Sequence, residues 1–252
     1  MEQRIAIRTE NLSKNFGAVQ AVKNVSLSVP EGQMHAVIGP NGAGKTTFMD
    51  LIVNKTRPSA GKVFFFEKEI TGMKPYKIAQ MGLNKCFQIS QLFPQLTCYE
   101  NVQIALIQKN KKTFSLMPQK ANYLREECER ELARVGMAHL MDETAAFLSY
   151  GDQRRLEIAI TLAMEPKVLF LDEPTAGVAR AEGYAIMDMV RKLNLQDGYT
   201  ILFIEHDMNI VFNYSDIISV MNHGELIASD TPENIKNNAF VKAAYLGGAQ
   251  LF

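Results

Sequence analysis

The stretch Gly39-Pro40-Asn41-Gly42-Ala43-Gly44-Lys45-Thr46 decides the fold of this chain, because it fills every position of the pattern G-x-x-x-x-G-K-[ST]. A glycine-rich loop of this spacing folds tightly enough to aim several backbone N–H groups at phosphate oxygens. Lys45 adds a positive charge beside the outer phosphates, and the Thr46 hydroxyl is suited to ligate Mg²⁺. The apolar run His35–Ile38 enters the loop, and the segment Thr46–Val53, which has helical spacing, leaves it. A strand, the loop and a helix therefore follow one another, and this order predicts an α/β nucleotide-binding core.

Two further strands end in polar side chains of the kind that a nucleotide site needs. The apolar run Val168–Leu171 is followed by Asp172 and Glu173. Asp172 is placed to hold Mg²⁺, and Glu173 is placed to polarise an attacking water as a general base. The run Thr200–Ile204 ends in the same way, with His206 just beyond it. Parallel strands that end at one sheet edge converge on a ligand crevice, so we expect these side chains to lie close together.

The rest of the chain predicts two smaller layers around this core. Short alternating segments near the start indicate antiparallel strands, and apolar strands that alternate with helices later in the chain indicate a mostly parallel sheet. Between about residues 91 and 160 a Glu-, Lys-, Arg- and Leu-rich stretch indicates a helical subdomain inserted in a single domain that spans 1–252. The predicted elements are strands at Arg4–Arg8, Val19–Val29, Met34–Ile38 and Lys62–Phe66, helices at Tyr123–Val135 and Ala181–Leu195, and a hairpin of Ile217–Met221 with Glu225–Ala228.

Composition excludes several classes of protein. Lys and Arg number 27 and Asp and Glu number 27, so the chain lacks the basic excess that usually supplies affinity for nucleic acid. With 47% hydrophobic and 21% charged residues it is neither disordered nor fibrous. No run approaches the ~18 apolar residues of a membrane-spanning helix, and the start lacks the apolar core of a signal peptide. The three cysteines have no metal-ligand spacing, so we expect a cytoplasmic location and no redox role.

The motifs together resemble those of the ATP-binding subunits of ABC transporters, over nearly the whole length of the chain. Besides the phosphate loop, the resemblance rests on Leu148-Ser149-Tyr150-Gly151-Asp152-Gln153-Arg154-Arg155, which stands in the place of the family's signature and opens a helix. Gln88 matches the glutamine loop, and Phe16 matches the aromatic residue that stacks on adenine. Asp172 with Glu173 matches the metal and base pair, and His206 matches the switch histidine.

The resemblance implies a role for each matched residue in binding and hydrolysing MgATP. Catalysis would fall to Glu173, His206 and Lys45, and the metal to Thr46, Gln88 and Asp172. ATP would be held by Phe16, by Gly39, Pro40, Asn41, Gly42, Ala43, Gly44, Lys45, Thr46 and Thr47, and by Gln88, Ser149 and Gly151.

The resemblance also implies partners. Ser149 and Gly151 would cap ATP on a second ATPase subunit, giving a homo- or heterodimer with two ATP molecules between its halves. The helical insert would dock membrane permease subunits on the inner face of the cell membrane. Through these permeases a periplasmic binding protein would be an indirect partner. No nucleic-acid partner is expected.

Two positions depart from the commonest family pattern. Tyr150 stands where most members carry glycine, and together with the following Asp152–Ala159 it resembles ATPases that import branched-chain and other hydrophobic amino acids. Ala179 stands where many relatives carry aspartate, and alanine lacks the carboxylate that accepts hydrogen bonds across the dimer. The sequence therefore favours an amino-acid importer and leaves open how the two ATP sites are coupled.

Three alternatives to an importer remain at this point. The first is the ATPase of a lipopolysaccharide-type exporter, against which Tyr150 counts. The second is an ABC ATPase outside transport that acts on DNA or ribosomes, for which two cassettes or a basic surface would be usual. The third is a regulatory nucleotide-binding subunit without hydrolysis, which Ala179 keeps open although every catalytic position is filled.

Overall fold

The computed structural model of the chain describes residues 3–86, 92–110 and 124–246. These residues form two compact units, each made of separate stretches of the chain. The first unit contains both β-sheets and comprises Met1–Lys85, Lys167–Glu173 and Arg191–Phe252. The second unit is helical and comprises Cys86–Pro166 and Pro174–Val190.

The smaller sheet of the first unit is antiparallel and has the strand order β2-β1-β4-β5. The first predicted strand is longer than the sequence pattern indicated, because it continues past Arg8 as far as Phe16. The strands are β1 (Ile5–Phe16), β2 (Val19–Pro30), β4 (Ala60–Phe65) and β5 (Lys68–Glu69).

Two buried hydroxyl groups explain why the far half of β1 does not read as a strand. Thr9 faces inward at 1% exposure, where its hydroxyl donates to the Val25 carbonyl and accepts from the Leu27 amide. Ser13 is likewise buried, and its hydroxyl donates to Asn24 Oδ1 at 3.0 Å. Because a buried polar group is tolerated when it is hydrogen-bonded, these positions break the apolar alternation without breaking the strand.

The larger sheet of the first unit has the strand order β10-β9-β3-β8-β7-β6. Its pairs β3–β8, β3–β9 and β7–β8 are parallel, and β9 pairs with β10 in an antiparallel hairpin. All five residues of β3, of β7 and of β8 are buried, as expected for strands covered on both faces. The strands are β3 (Met34–Ile38), β6 (Leu83–Cys86), β7 (Val168–Asp172), β8 (Thr200–Ile204), β9 (Ile217–Asn222) and β10 (Glu225–Asp230).

Helix α1 is the helix that follows the phosphate loop, and it packs into the main core of the first unit. It spans Lys45–Ile52, one residue earlier than the predicted Thr46–Val53. Phe48 and Leu51 are fully buried in a cluster that also contains Phe170. The remaining helices of this unit are α2 (Pro75–Gln80), α7 (Met208–Tyr214), α8 (Pro232–Asn237) and α9 (Ala239–Leu246).

The second unit is built mainly from helices, two of which, α3 (Cys98–Lys109) and α5 (Tyr150–Leu162), begin with a side-chain N-cap. Thr97 caps the first of them in a capping box, in which its hydroxyl accepts from the Glu100 amide and the Glu100 carboxylate accepts from the Thr97 amide. The helices are α3 (Cys98–Lys109), α4 (Arg125–Arg134), α5 (Tyr150–Leu162) and α6 (Arg180–Asp197), of which α6 continues into the first unit.

The expected class, α/β with a mostly parallel sheet and a separate antiparallel sheet, is confirmed. Within the described ranges, every helix is too short or too polar to cross a bilayer.

Candidate functional site

The phosphate loop joins β3 to α1. It is hydrogen-bonded to Gly224 in the turn between β9 and β10, which is in turn hydrogen-bonded to β2. The Gly224 amide donates to the Ala43 carbonyl at 3.0 Å, and the Lys23 amide donates to the Gly224 carbonyl at 2.7 Å. Gly44, the residue before α1, has a φ of 96°, and a Cβ at this position would lie 2.3 Å from the Ala21 carbonyl oxygen. Only glycine fits such a position. The second glycine of the motif is therefore required by the nearby backbone of β2 as well as by phosphate binding.

Lys45 lies over the loop that precedes it. Its ammonium donates to the carbonyl oxygens of Gly39 at 2.7 Å and Pro40 at 3.2 Å, and the residue is 7% exposed. Burial lowers the pKa of Lys45, and the negative charges of Glu173 and Asp172 oppose that effect. The lysine and the two carboxylates therefore share one electrostatic environment, as the sequence predicts.

The exposed part of the loop is the part that a phosphate would approach. Asn41, Gly42 and Thr46 are exposed, whereas Gly39 and Ala43 are buried. The free N–H groups at the start of α1 and the helix dipole favour an anion at this end.

Asp172 and Glu173 follow β7 on the same sheet, where the sequence predicts them. Asp172 is 4% exposed; its Oδ1 is buried without a hydrogen-bond donor among the described residues, and its Oδ2 faces the ammonium of Lys85. Glu173 has a φ of 52°, a left-handed conformation that is unusual for a residue with a side chain, and its amide donates to the Ile204 carbonyl. Such strained backbone concentrates at functional sites, where the surrounding structure enforces it.

Glu173 and His206 meet at the edge of the sheet. His206 follows β8, and its Nε2 lies 2.9 Å from Glu173 Oε1. An ionised carboxylate only accepts, so this contact places the imidazole proton on Nε2. The side chain of His206 is 46% exposed and that of Glu173 is 22% exposed, so both are accessible from solvent.

Lys85 is a charged residue of this site that the sequence analysis missed. It lies on β6, and its ammonium is 2.9 Å from Asp50 Oδ1 and 2.9 Å from Asp172 Oδ2. The Asp50 contact is a hydrogen bond, and the Asp172 contact is an ion pair. Burial would lower the pKa of Lys85, but the two carboxylates outweigh it and raise the pKa. No pattern in the sequence reveals this contact, because the three residues come from separate elements.

Phe16 ends β1 with half of its surface exposed, at 52%. The Lys14 ammonium lies 5.0 Å from the ring centroid, and the rest of the ring is available for stacking. Gln88, predicted from the sequence to help hold the metal, lies outside the described residues.

Ser149 and Gly151 lie in the second unit, at the start of α5. Ser149 caps the helix, since its hydroxyl accepts from the Asp152 amide at 3.1 Å and donates to the Asp152 carboxylate at 2.8 Å. Gly151 has Glu182 against it: an added Cβ would lie 1.8 Å from Glu182 Oε1. The absence of a Cβ at Gly151 leaves room for the Glu182 side chain in this position.

Tyr150, the unusual signature residue, is held by two contacts in the second unit. Its hydroxyl accepts from the Arg154 guanidinium at 3.1 Å, and Arg154 is itself paired with buried Glu157 at 3.0 Å. The ring lies against Gly177, where an added Cβ would be 2.9 Å from Tyr150 Cε1. Tyr150 thus connects the start of α5 to the loop that precedes α6.

Comparison with known proteins agrees with this geometry. Residues 22–176 match the family described as ABC transporter. The chain belongs to this family. As an ABC ATPase it binds and hydrolyses ATP in support of transport, and the family and fold predicted from the sequence are confirmed.

Individual ABC proteins resemble the chain over nearly its full length. The high-affinity branched-chain amino acid transport ATP-binding protein LivG of Salmonella typhimurium is 38% identical over 250 residues, covering 96% of this chain and 98% of LivG. The crystal structure of an ABC transporter's ATP-binding cassette in its ADP conformation superposes with a TM-score of 0.86 at 34% identity, covering 96% of this chain and 99% of that one. A dimeric cassette in a post-hydrolysis state, bound to ADP and Pi, superposes with a TM-score of 0.76 at 26% identity, covering 90% and 98%.

Proposed function

We propose that this ABC ATPase drives the import of branched-chain or related hydrophobic amino acids through separate membrane permease subunits. The observation that carries the proposal is the 38% identity to LivG across almost the whole of both chains. Tyr150 supports the same group, since it replaces the usual signature glycine and has its own partner in Gly177. The exporter, DNA-acting and regulatory alternatives lack a comparable observation in their favour.

In the proposed complex ATP lies over the phosphate loop. Phe16 stacks on adenine with its exposed face, and backbone N–H groups within the segment Gly39–Thr47, where Pro40 has none, surround the phosphates. Lys45, which donates to the Gly39 and Pro40 carbonyls in the protein alone, turns its ammonium toward the β and γ phosphates.

The residues present fit a magnesium ion at this site. Oδ1 of buried Asp172 lacks a hydrogen-bond donor among the described residues, and a bound cation would satisfy it. No group of three or more His, Cys, Asp or Glu residues suited to a metal occurs in the described ranges. We propose that Thr46, Gln88 and Asp172 hold the ion, with Gln88 outside the described residues. When bound, Mg²⁺ would neutralise charge that develops on the β and γ phosphates.

Glu173 acts as general base in the proposed reaction, and His206 acts beside it. The carboxylate accepts a proton from water as the water oxygen attacks the γ-phosphorus, and ADP leaves with the electrons of the broken P–O bond. The contact of 2.9 Å between His206 and Glu173 orients both side chains before the nucleotide arrives. His206 then donates to the γ-phosphate.

The proposed working unit is a dimer of ATPase subunits. Ser149, Gly151 and the N-terminus of α5 recognise the phosphates of ATP held by the second subunit. ATP binds the closed dimer more tightly than the open one, and this difference in affinity drives the cycle. The second subunit is a copy of this chain or a related ATPase, which could supply the carboxylate that Ala179 lacks.

The chain is proposed to work at the inner face of the cell membrane. The helical insert at about 91–160, within a single domain of 1–252, docks the permease subunits, and a periplasmic binding protein delivers the amino acid to them. The neutral charge, 27 basic against 27 acidic residues, gives no support to a nucleic-acid partner.

Nucleotide binding is tested by Lys45→Ala, with Lys62→Ala as the matched control. Lys62 is a lysine of the first unit whose side chain is 56% exposed and pairs with Glu69. Titration with a fluorescent ATP analogue should show lost affinity for Lys45→Ala and wild-type affinity for Lys62→Ala. Unchanged affinity in Lys45→Ala would remove the phosphate-loop assignment.

Transport is tested with the whole complex. The chain is co-expressed with candidate permeases, purified in detergent and reconstituted in vesicles with ATP on the side of the ATPase. Uptake of radiolabelled leucine that requires both ATP and the binding protein supports the importer. ATP-driven extraction of a lipid substrate, or failure to co-purify with any membrane protein, would contradict it.

A further inference from the structure

Lys85 contacts α1 and β7, the two elements that carry Thr46 and Asp172, two of the three proposed protein ligands of the metal. Asp172 ends β7, and Asp50 lies on α1 four residues after Thr46. The Lys85 ammonium touches a carboxylate from each, at 2.9 Å in both cases, and its side chain is only 5% exposed. A buried lysine is uncommon, and here it stands between two acidic side chains.

The charges around Asp172 show what this lysine does there. The Asp172 side chain is 1% exposed, so its negative charge has little access to water. Lys45 contributes to the same field, but its ammonium donates to the loop carbonyls. Asp50 has a second cation, Lys55, at 3.9 Å with a side chain that is 56% exposed. Lys85 is therefore the nearest described cation to the Asp172 carboxylate, and it takes the place that a metal ion would take in balancing that charge.

We propose that Lys85 is a positioning residue that serves as a built-in counter-ion for Asp172 and keeps the affinity of the nucleotide-free site for divalent cations low. A positive charge beside the ligand repels a second cation, and the repulsion is strong where water is excluded. The phosphates of ATP supply the extra negative charge that overcomes it. The metal therefore binds together with the nucleotide. Asp50 contacts the same ammonium and keeps Lys85 beside Asp172.

This inference rests on the proposed role of Asp172 as a metal ligand. It predicts that removing Lys85 increases the affinity for divalent cations, whereas a purely structural ion pair predicts no increase. Removal of a structural lysine lowers stability and leaves metal affinity unchanged or weaker. Removal of a counter-ion strengthens the binding of a divalent cation to the protein without nucleotide.

The test is Mn²⁺ binding to the full-length, nucleotide-free protein, followed by electron paramagnetic resonance at constant pH. Lys85→Met should bind Mn²⁺ about tenfold or more tightly than wild type, because it removes the charge and keeps much of the side-chain volume. Lys85→Arg, which keeps the charge, should bind as weakly as wild type. Wild-type affinity in Lys85→Met, or tight binding in Lys85→Arg, would overturn the inference.

A double variant keeps the test decisive if Lys85→Met misfolds. If Lys85→Met does not fold, the double variant Lys85→Met with Asp50→Asn removes the buried pair together, and it should still bind Mn²⁺ more tightly than wild type. Wild-type affinity in the folded double variant would overturn the inference.

The role of Asp172 is tested separately with Asp172→Asn and Mn²⁺-dependent binding of a fluorescent ADP. This variant should need about tenfold or more Mn²⁺ for half-maximal binding, since it removes a ligand. An unchanged requirement would refute the metal role of Asp172 and the inference with it. An increased requirement with no effect of Lys85→Met would refute the inference alone.

Discussion

Replacing Gly44 by alanine tests whether the phosphate loop is shaped by its contact with β2. The new Cβ would stand 2.3 Å from the Ala21 carbonyl oxygen, about 1 Å closer than ordinary contact. Gly42 provides a matched control in the same loop: its φ of 79° is also left-handed, but an added Cβ there meets nothing within 4 Å. The two substitutions therefore share backbone strain and differ in the collision.

The expected cost follows from these two effects. Alanine in a left-handed conformation costs about 1–2 kcal/mol, which applies to both variants. Forcing the loop away from β2 adds about 1–3 kcal/mol for Gly44→Ala, as for other overpacked sites. For a protein of this size, that difference corresponds to a melting temperature lower by roughly 2–12 °C in Gly44→Ala than in Gly42→Ala.

The assay is thermal unfolding of both variants and wild type without nucleotide, followed by circular dichroism. A parallel melt of Gly32→Ala, whose φ is 77° and whose added Cβ also meets nothing within 4 Å, measures the strain outside the loop. Equal melting temperatures for Gly44→Ala and Gly42→Ala would refute the argument that β2 constrains the loop.

Two further predictions concern groups away from the loop. Burial lowers the pKa of His35 to about 4, against the opposing charge of Asp216, so the unfolded chain takes up a proton first as the pH falls. The free energy of unfolding should therefore drop by about 3 kcal/mol between pH 6.5 and 4. Urea unfolding at several pH values should show a smaller pH dependence of this free energy in His35→Leu. An unchanged pH dependence would contradict the lowered pKa of His35. Gly177→Ala should destabilise less in a Tyr150→Ala background, by about 1 kcal/mol, because the contact of 2.9 Å is absent. Additive effects in a double-mutant cycle of urea unfolding would show that the Tyr150 ring does not clash with a Cβ at position 177.

The core of the fold could be predicted from sequence because its strands are buried on both faces. β3 and β8 have the predicted bounds, and β7 differs by one residue, since a continuous apolar run marks a covered strand. The hairpin of β9 and β10 was also predicted, from its turn signal. The far half of β1 was missed because Thr9 and Ser13 are polar but satisfied inside the sheet.

The candidate site residues that could be picked out from the sequence are those that belong to a local motif. Lys45, Asp172, Glu173 and His206 occur in recognisable patterns, and the structure places all four in the first unit. Lys85 could not be predicted, because its meaning depends on contacts with α1 and β7 that no local pattern encodes.

Steady-state hydrolysis of MgATP by Glu173→Gln tests the account most directly. Glutamine keeps the size of the side chain and cannot take up a proton from water, so turnover should fall by about 10²–10⁴-fold. Binding of a fluorescent ATP analogue should remain at the wild-type level, since the phosphate loop is intact. Wild-type turnover in the folded variant would contradict the role of Glu173 as general base and the mechanism built on it.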